Sequence, residues 1–215
     1  MKNILLSFDL DNTLINNKEG IVNSFNYALK KYNLPKVDEN KIVKMIGTPL
    51  DEMFQMVSKF NPKLLSSCFR EYYGEKGIFQ AELLPGIKEK LQEFKRNYIT
   101  MGIITSKKQE MAIRITKNLE IFEFFEYIIG ESNEVNSKLD PNLPKIIIKR
   151  YPDYKIIIIG DHPKDKTLAE NLNVPFIGVL TGHHNTKELI SDIKVKYLIL
   201  PSVKEIKVEN ILSLI

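Results

Sequence analysis

The sequence predicts a doubly wound α/β core interrupted, just after its first strand, by an all-helical insert. Three observations carry this expectation. Short continuous apolar runs, Ile4 to Leu6 and the four isoleucines at 156 to 159, have the composition of strands covered on both faces of a parallel sheet. Beyond residue 84 such runs alternate with helical periodicity, the pattern of consecutive β-α units. Between Asn16 and Gln80 there is no strand pattern, only helical stripes.

The elements follow in order. After the first strand, Ile21, Val22, Phe25, Ala28, Leu29 and Tyr32 recur at helical spacing and stop near Asn33-Leu34-Pro35. Asp38 is placed as the N-cap of a helix carrying Ile42, Val43 and Ile46, which Gly47-Thr48-Pro49 breaks before Leu50, Met53, Phe54 and Val57 resume the stripe. A fourth helix is expected from about Pro62 to Tyr73. Met45, Met53, Met56 and Phe54 read as core of this insert. Leu84-Pro85-Gly86 opens a helix with Ile87, Leu91 and Phe94 on one face, and Tyr98 to Thr105 has the β-branched composition of the second core strand. A helix is expected to start at Lys107-Lys108 and run through Met111, Ile115 and Leu119. Strands near Tyr127 to Ile129, Lys155 to Ile159, Phe176 to Val179 and Tyr197 to Leu200 follow, separated by helices near Pro144 to Tyr151, Asp165 to Leu172 and Thr186 to Ile190. The Asn16-Asn17 and Pro85-Gly86 stretches are the expected linkers, giving a core of 1–15 with 83–215 and an insert of 16–82.

Composition narrows the function classes. The formal charge of +4 comes from scattered rather than clustered basic residues, so no nucleic-acid partner is expected. No apolar run approaches the roughly 18 residues of a membrane span, so no membrane partner is expected and a cytoplasmic location is the default. The single cysteine, Cys68, rules out an internal disulfide framework and reads as core.

Chemistry-bearing residues collect where predicted strands end. In Ser7-Phe8-Asp9-Leu10-Asp11-Asn12-Thr13-Leu14, two carboxylates stand two residues apart at the carboxyl end of the first strand, where open α/β sheets put their ligand crevices. In an extended chain they would point the same way and repel, and a hard cation such as Mg2+ would relieve that repulsion. Asp, Asn and Thr also favour turns and caps, so these residues alone leave a polar turn open. Thr105-Ser106 closes the second core strand ahead of a helix, where hydroxyls and amides bind phosphate oxygens or simply cap. Lys138, with Lys145 nearby, follows the third strand, and Gly160-Asp161-His162-Pro163-Lys164-Asp165 returns two more acids to the same edge. His183-His184 reads as an exposed loop, since a histidine pair needs a third ligand to hold a metal.

In order and spacing, these segments resemble the four motifs of the haloacid dehalogenase-like superfamily, phosphoglycolate phosphatase-like branch, over Phe8 to about Gly182. Asp9 to Thr13 resembles DxDx[TV], Thr105 the motif hydroxyl, Lys138 the motif lysine with Leu139 in place of a proline, and Gly160 to Asp165 the motif GDxxxD with His162 where a small residue is usual. The resemblance implies a Rossmann-like core with a helical cap domain, and an Mg2+-dependent phosphatase acting on a small phosphorylated substrate. It implies that Asp9 is the nucleophile and Asp11 the general acid and base. Thr105, Ser106 and Lys138 would contact the phosphoryl group, and Gly47 in the cap would face substrate. Asp9, Asp11 through its carbonyl, Asp161 and Asp165 would serve the metal, Asp165 through bound water or by orienting the lysine. A sugar phosphomutase or a non-catalytic phosphate-binding regulator would keep the same motifs.

Overall fold

The computed structural model describes residues 3–215. The chain divides into two compact units, one of Met1–Ile15 with Leu83–Ile215 and the other of Asn16–Glu82. Ile15–Asn16 and Glu82–Leu83, where the chain crosses from one unit to the other, pair as a two-stranded ribbon (β2 and β3). Two-residue strands leave no alternating pattern to read in the sequence.

The first unit is built on a six-stranded sheet. Its strands are β1 (Ile4–Phe8), β4 (Thr100–Lys108), β5 (Tyr127–Glu131), β6 (Lys155–Gly160), β7 (Phe176–Val179) and β8 (Tyr197–Leu200), in the order β5-β4-β1-β6-β7-β8 with every neighbouring pair parallel. β1 lies at the centre, flanked by β4 on one side and β6 on the other, so the strand order reverses beside it. Leu5, Leu6, Phe8, Ile103 and the four isoleucines of β6 are buried, which is why these strands read as unbroken apolar runs. Helices α5 (Ile87–Arg96), α6 (Gln109–Asn118), α7 (Leu143–Arg150), α8 (Pro163–Leu172), α9 (Thr186–Ile190) and α10 (Val208–Leu214) complete the unit. α5 buries Ile87, Leu91 and Phe94, the predicted stripe.

The second unit contains α1 (Lys18–Lys31), α2 (Glu39–Met45), α3 (Leu50–Gln55) and α4 (Pro62–Glu75), with a short 3-10 turn at Gly77–Gln80. Its core is aromatic: Phe25 stacks on Phe54 with centroids 4.1 Å apart, and Phe69 stacks on Tyr73. Asp38 caps α2 by accepting from the Asn40 amide, and Cys68 is buried in α4. Met45 and Met53 are buried as expected, whereas Met56 is 63% exposed. Met56 is the C-cap residue just past Gln55, where α3 ends and the stripe loses its helical phase.

One boundary in the first unit differs in a way that matters for the site. β4 continues to Lys108 and α6 begins at Gln109, so Thr105 and Ser106 lie inside a strand rather than at a helix N-terminus. Pairing with β5 shifts register between Ile104 and Lys108 and carries the polar Ser-Lys-Lys stretch past the end of the apolar run. Composition alone placed the strand end where the apolar residues stop.

Candidate active site

Register brings the motif strands to one edge. Phe8 pairs with Ile103 and with Ile159, so Asp9 and Asp161 emerge at the carboxyl ends of β1 and β6, beside Thr105, which lies two residues past Ile103 within β4. The Asp9 amide donates to the Ile159 carbonyl at 2.8 Å, which holds Asp9 against β6. The chain then turns sharply. Asn12 takes a left-handed conformation (φ 57°), and the Leu14 and Ile15 amides both donate to the Leu10 carbonyl. This turn buries Thr13, whose hydroxyl donates to Asp161 Oδ1 at 2.9 Å.

Lys138 is the centre of the site's electrostatics. It lies in the loop after β5, where the Asp140 carboxylate accepts from the Asn136 and Asn142 amides at 2.9 Å each and so folds the chain around the lysine. Its ammonium is buried and donates to Asp9 Oδ1 at 2.5 Å and to Asp165 Oδ1 at 2.7 Å. Lys145, in contrast, is exposed on α7. The second Asp165 oxygen accepts from the His162 amide at 3.1 Å, while His162 Nδ1 accepts from the Lys164 amide, so the two residues cap α8 reciprocally. Gly160 makes room for this: a methyl there would strike the Asp165 carboxyl.

Burial dominates the ionisation of the acids. It pushes Asp9 up to about 7 despite the attraction of Lys138, with Asp165 and Asp11 adding to the rise. Burial and the charges of Asp9 and Asp165 push Asp161 up to about 8. Burial also disfavours the Lys138 ammonium, but Asp165 and Asp9 overcome it and hold the lysine charged well above its usual range. His162 is depressed to about 3, first by burial and then by His184 and Lys138, so its ring is neutral and its Nδ1 is free to accept.

The donor set fits a divalent cation. Asp9, Asp161 and Asp165 each turn a carboxylate oxygen within 4.8 Å of the others, and all three are buried. Ionised, they carry three negative charges against the single positive charge of Lys138, an excess of two, and all-oxygen donors suit a hard ion such as Mg2+. The same excess has a consequence for stability without metal. The folded carboxyl pKa values of Asp9 and Asp161 lie above the unfolded value, so their contribution to stability is full below about pH 4 and is lost as pH rises through 7 to 8. In EDTA the melting temperature is therefore expected to fall between pH 6 and pH 9, and Mg2+ to raise it more at pH 8.5 than at pH 6. Equal stabilisation by Mg2+ at both pH values would contradict this account.

Asp11 stands apart from the three acids. Its carboxylate pairs with Lys107 at 3.1 Å, with both side chains mostly buried. β1 ends at Phe8, so both acids lie in the turn beyond it, and the charge of Asp11 still adds to the rise of Asp9. Thr105 is buried and its hydroxyl accepts from the Lys107 amide, whereas Ser106 is exposed. Gly47 belongs to the helical unit and has φ 98°. His183 is exposed, but His184 packs edge-on against His162 with centroids 4.5 Å apart, so the pair is only in part the exposed loop expected. Thr13 stands at the last position of the motif that starts at Asp9, whereas the partners Lys107 and Asp140 carry no signal of their own, because each is a common polar residue whose role depends on what lies across the fold.

Residues 6–179 match the sequence model of the haloacid dehalogenase-like hydrolases. The chain belongs to the haloacid dehalogenase-like hydrolase family. A family hydrolase of known structure from Streptococcus pneumoniae superposes with a TM-score of 0.82 at 29% identity, over 92% of this chain and 94% of that one. The "Probable phosphatase IndB" of Dickeya dadantii is 26% identical over 197 residues, 86% of this chain and 84% of that protein. The phosphoglycolate phosphatase of Yersinia pseudotuberculosis is 24% identical over 189 residues, 83% of this chain and 82% of that protein. With the family match, these likenesses place the chain among the phosphatases. No helix among the described residues is long and apolar enough to cross a membrane.

Proposed function

We propose that the protein is an Mg2+-dependent phosphomonoester hydrolase that works through an aspartyl-phosphate on Asp9. The observation that carries this reading is the buried Lys138 ammonium bridging Asp9 and Asp165 beside Asp161, a charge arrangement costly to build unless it is used. Asp9 Oδ2 attacks phosphorus while the bond to the leaving oxygen breaks, so one difficult displacement becomes two easier ones. Asp11 gives its proton to the leaving oxygen. It then takes a proton from the water that attacks the aspartyl-phosphate, releasing phosphate and restoring Asp9.

Lys138 offsets negative charge at the nucleophile and the phosphoryl oxygens, and Asp165 holds the ammonium in place. Thr105 offers its hydroxyl as a donor to a phosphoryl oxygen. Asp9, the carbonyl of Asp11 and Asp161 would hold the cation, with Asp165 behind them; when bound, Mg2+ neutralises and orients the phosphoryl group. The substrate class is a small phosphorylated metabolite, either a phosphoglycolate-like acid or a sugar phosphate, with Gly47 of the helical unit among the residues that would meet it.

The test is phosphate release from p-nitrophenyl phosphate and a panel of phosphorylated metabolites. Turnover is expected with Mg2+ and is expected to vanish in EDTA, since an acidic cluster repels an anion until its cation is present. Undiminished turnover in EDTA would overturn the metal assignment.

A further inference from the structure

We propose that Gly182, which lies outside all four motifs, is a positioning residue for Asp161: its bare backbone leaves the space that the carboxylate occupies when it faces the cation. The proposal rests on the reading of the cation site above. After β7 the chain is tied to β8 by the Leu180 amide, which donates to the Leu200 carbonyl at 3.0 Å, and then passes over the end of β6. A methyl group on Gly182 would run into the Asp161 carboxyl, meeting Oδ2 first and then Cγ and Cβ. The backbone itself does not call for glycine there, because Gly47 and Gly86 are the glycines with left-handed φ among the described residues. What calls for it is the neighbouring acid.

Asp161 is thus held from two sides. Thr13 donates to Oδ1 at 2.9 Å, and the Gly182 backbone closes over Oδ2. The loop is anchored in this position by His184, whose ring meets His162 at 83° immediately after Asp161 in the chain. Both carboxylates delivered by this part of the sheet therefore depend on a glycine, Asp165 on Gly160 and Asp161 on Gly182. A displaced Asp161 would keep its charge but lose its direction, so the cost falls on cation binding.

The experiment is isothermal titration of Mg2+ into the full-length wild type and Gly182→Ala, with thermal melts in EDTA. Gly182→Ala is expected to weaken Mg2+ binding about 10- to 100-fold, the scale for residues that support metal ligands. Binding within twofold of wild type would overturn the proposal. Should the variant melt early, Asp161→Ala decides the cause, because it removes the atoms the new methyl meets. The melting penalty of Gly182→Ala in EDTA is expected to shrink in the Asp161→Ala background. An equal penalty in both backgrounds would mean that Gly182 serves the loop and not Asp161. A wild type that takes up no Mg2+ would overturn the cation reading itself.

Discussion

Asp9→Asn is expected to lower phosphate release by roughly 10⁴-fold or more, the scale for deleting one member of a catalytic unit. The carboxamide keeps the size of the side chain and can still accept from Lys138, but it is no nucleophile. The variant is also expected to fold. Burial pushes the Asp9 carboxyl up to about 7, so at pH 8 the metal-free wild type carries a buried charge that the site disfavours. Removing that charge should leave the melting temperature in EDTA at pH 8 unchanged or higher. Loss of activity with stability retained separates a missing nucleophile from a damaged fold. Turnover near the wild-type rate would mean that another group attacks phosphorus.

Lys138→Met is expected to cost both activity and stability. The ammonium is buried and donates to Asp9 and Asp165, so its removal leaves two buried acids without their cation. Deleting one partner of a buried ion pair costs about 3–5 kcal/mol. The sign with pH follows from the acids left behind. The penalty on Asp9, which burial already pushes up to about 7, is present while it is ionised and shrinks as it takes a proton, so urea denaturation in EDTA should show a large loss at pH 8 and a smaller one at pH 5. Lys145→Met is the matched control: Lys145 is exposed on α7, and its loss should change neither rate nor stability by a measurable amount. Should Lys145→Met instead reproduce the Lys138→Met losses, the assignment of the buried lysine would be wrong.

Periodicity and strand composition by themselves determined the doubly wound core, the order of its elements and the helical character of residues 16–80, because burial on both faces of a parallel sheet leaves a continuous apolar run that needs no partner to be read. Asp9, Asp11, Thr105, Lys138, Asp161 and Asp165 stood out as candidates because their segments resemble the four family motifs in order and spacing. Tertiary structure alone decided what those residues touch. The extension of β4 through Lys108 comes from pairing with β5, a force that overrides the polar composition of Ser106 to Lys108. Lys138 rather than Lys145 meets Asp9 because Asp140 folds the loop around it. Thr13 reaches Asp161 across 148 positions of sequence, and Gly182 reaches the same carboxylate from the loop after β7. Such contacts leave no local pattern, because hydrogen bonds and steric clearance depend on distance in space and not on distance along the chain.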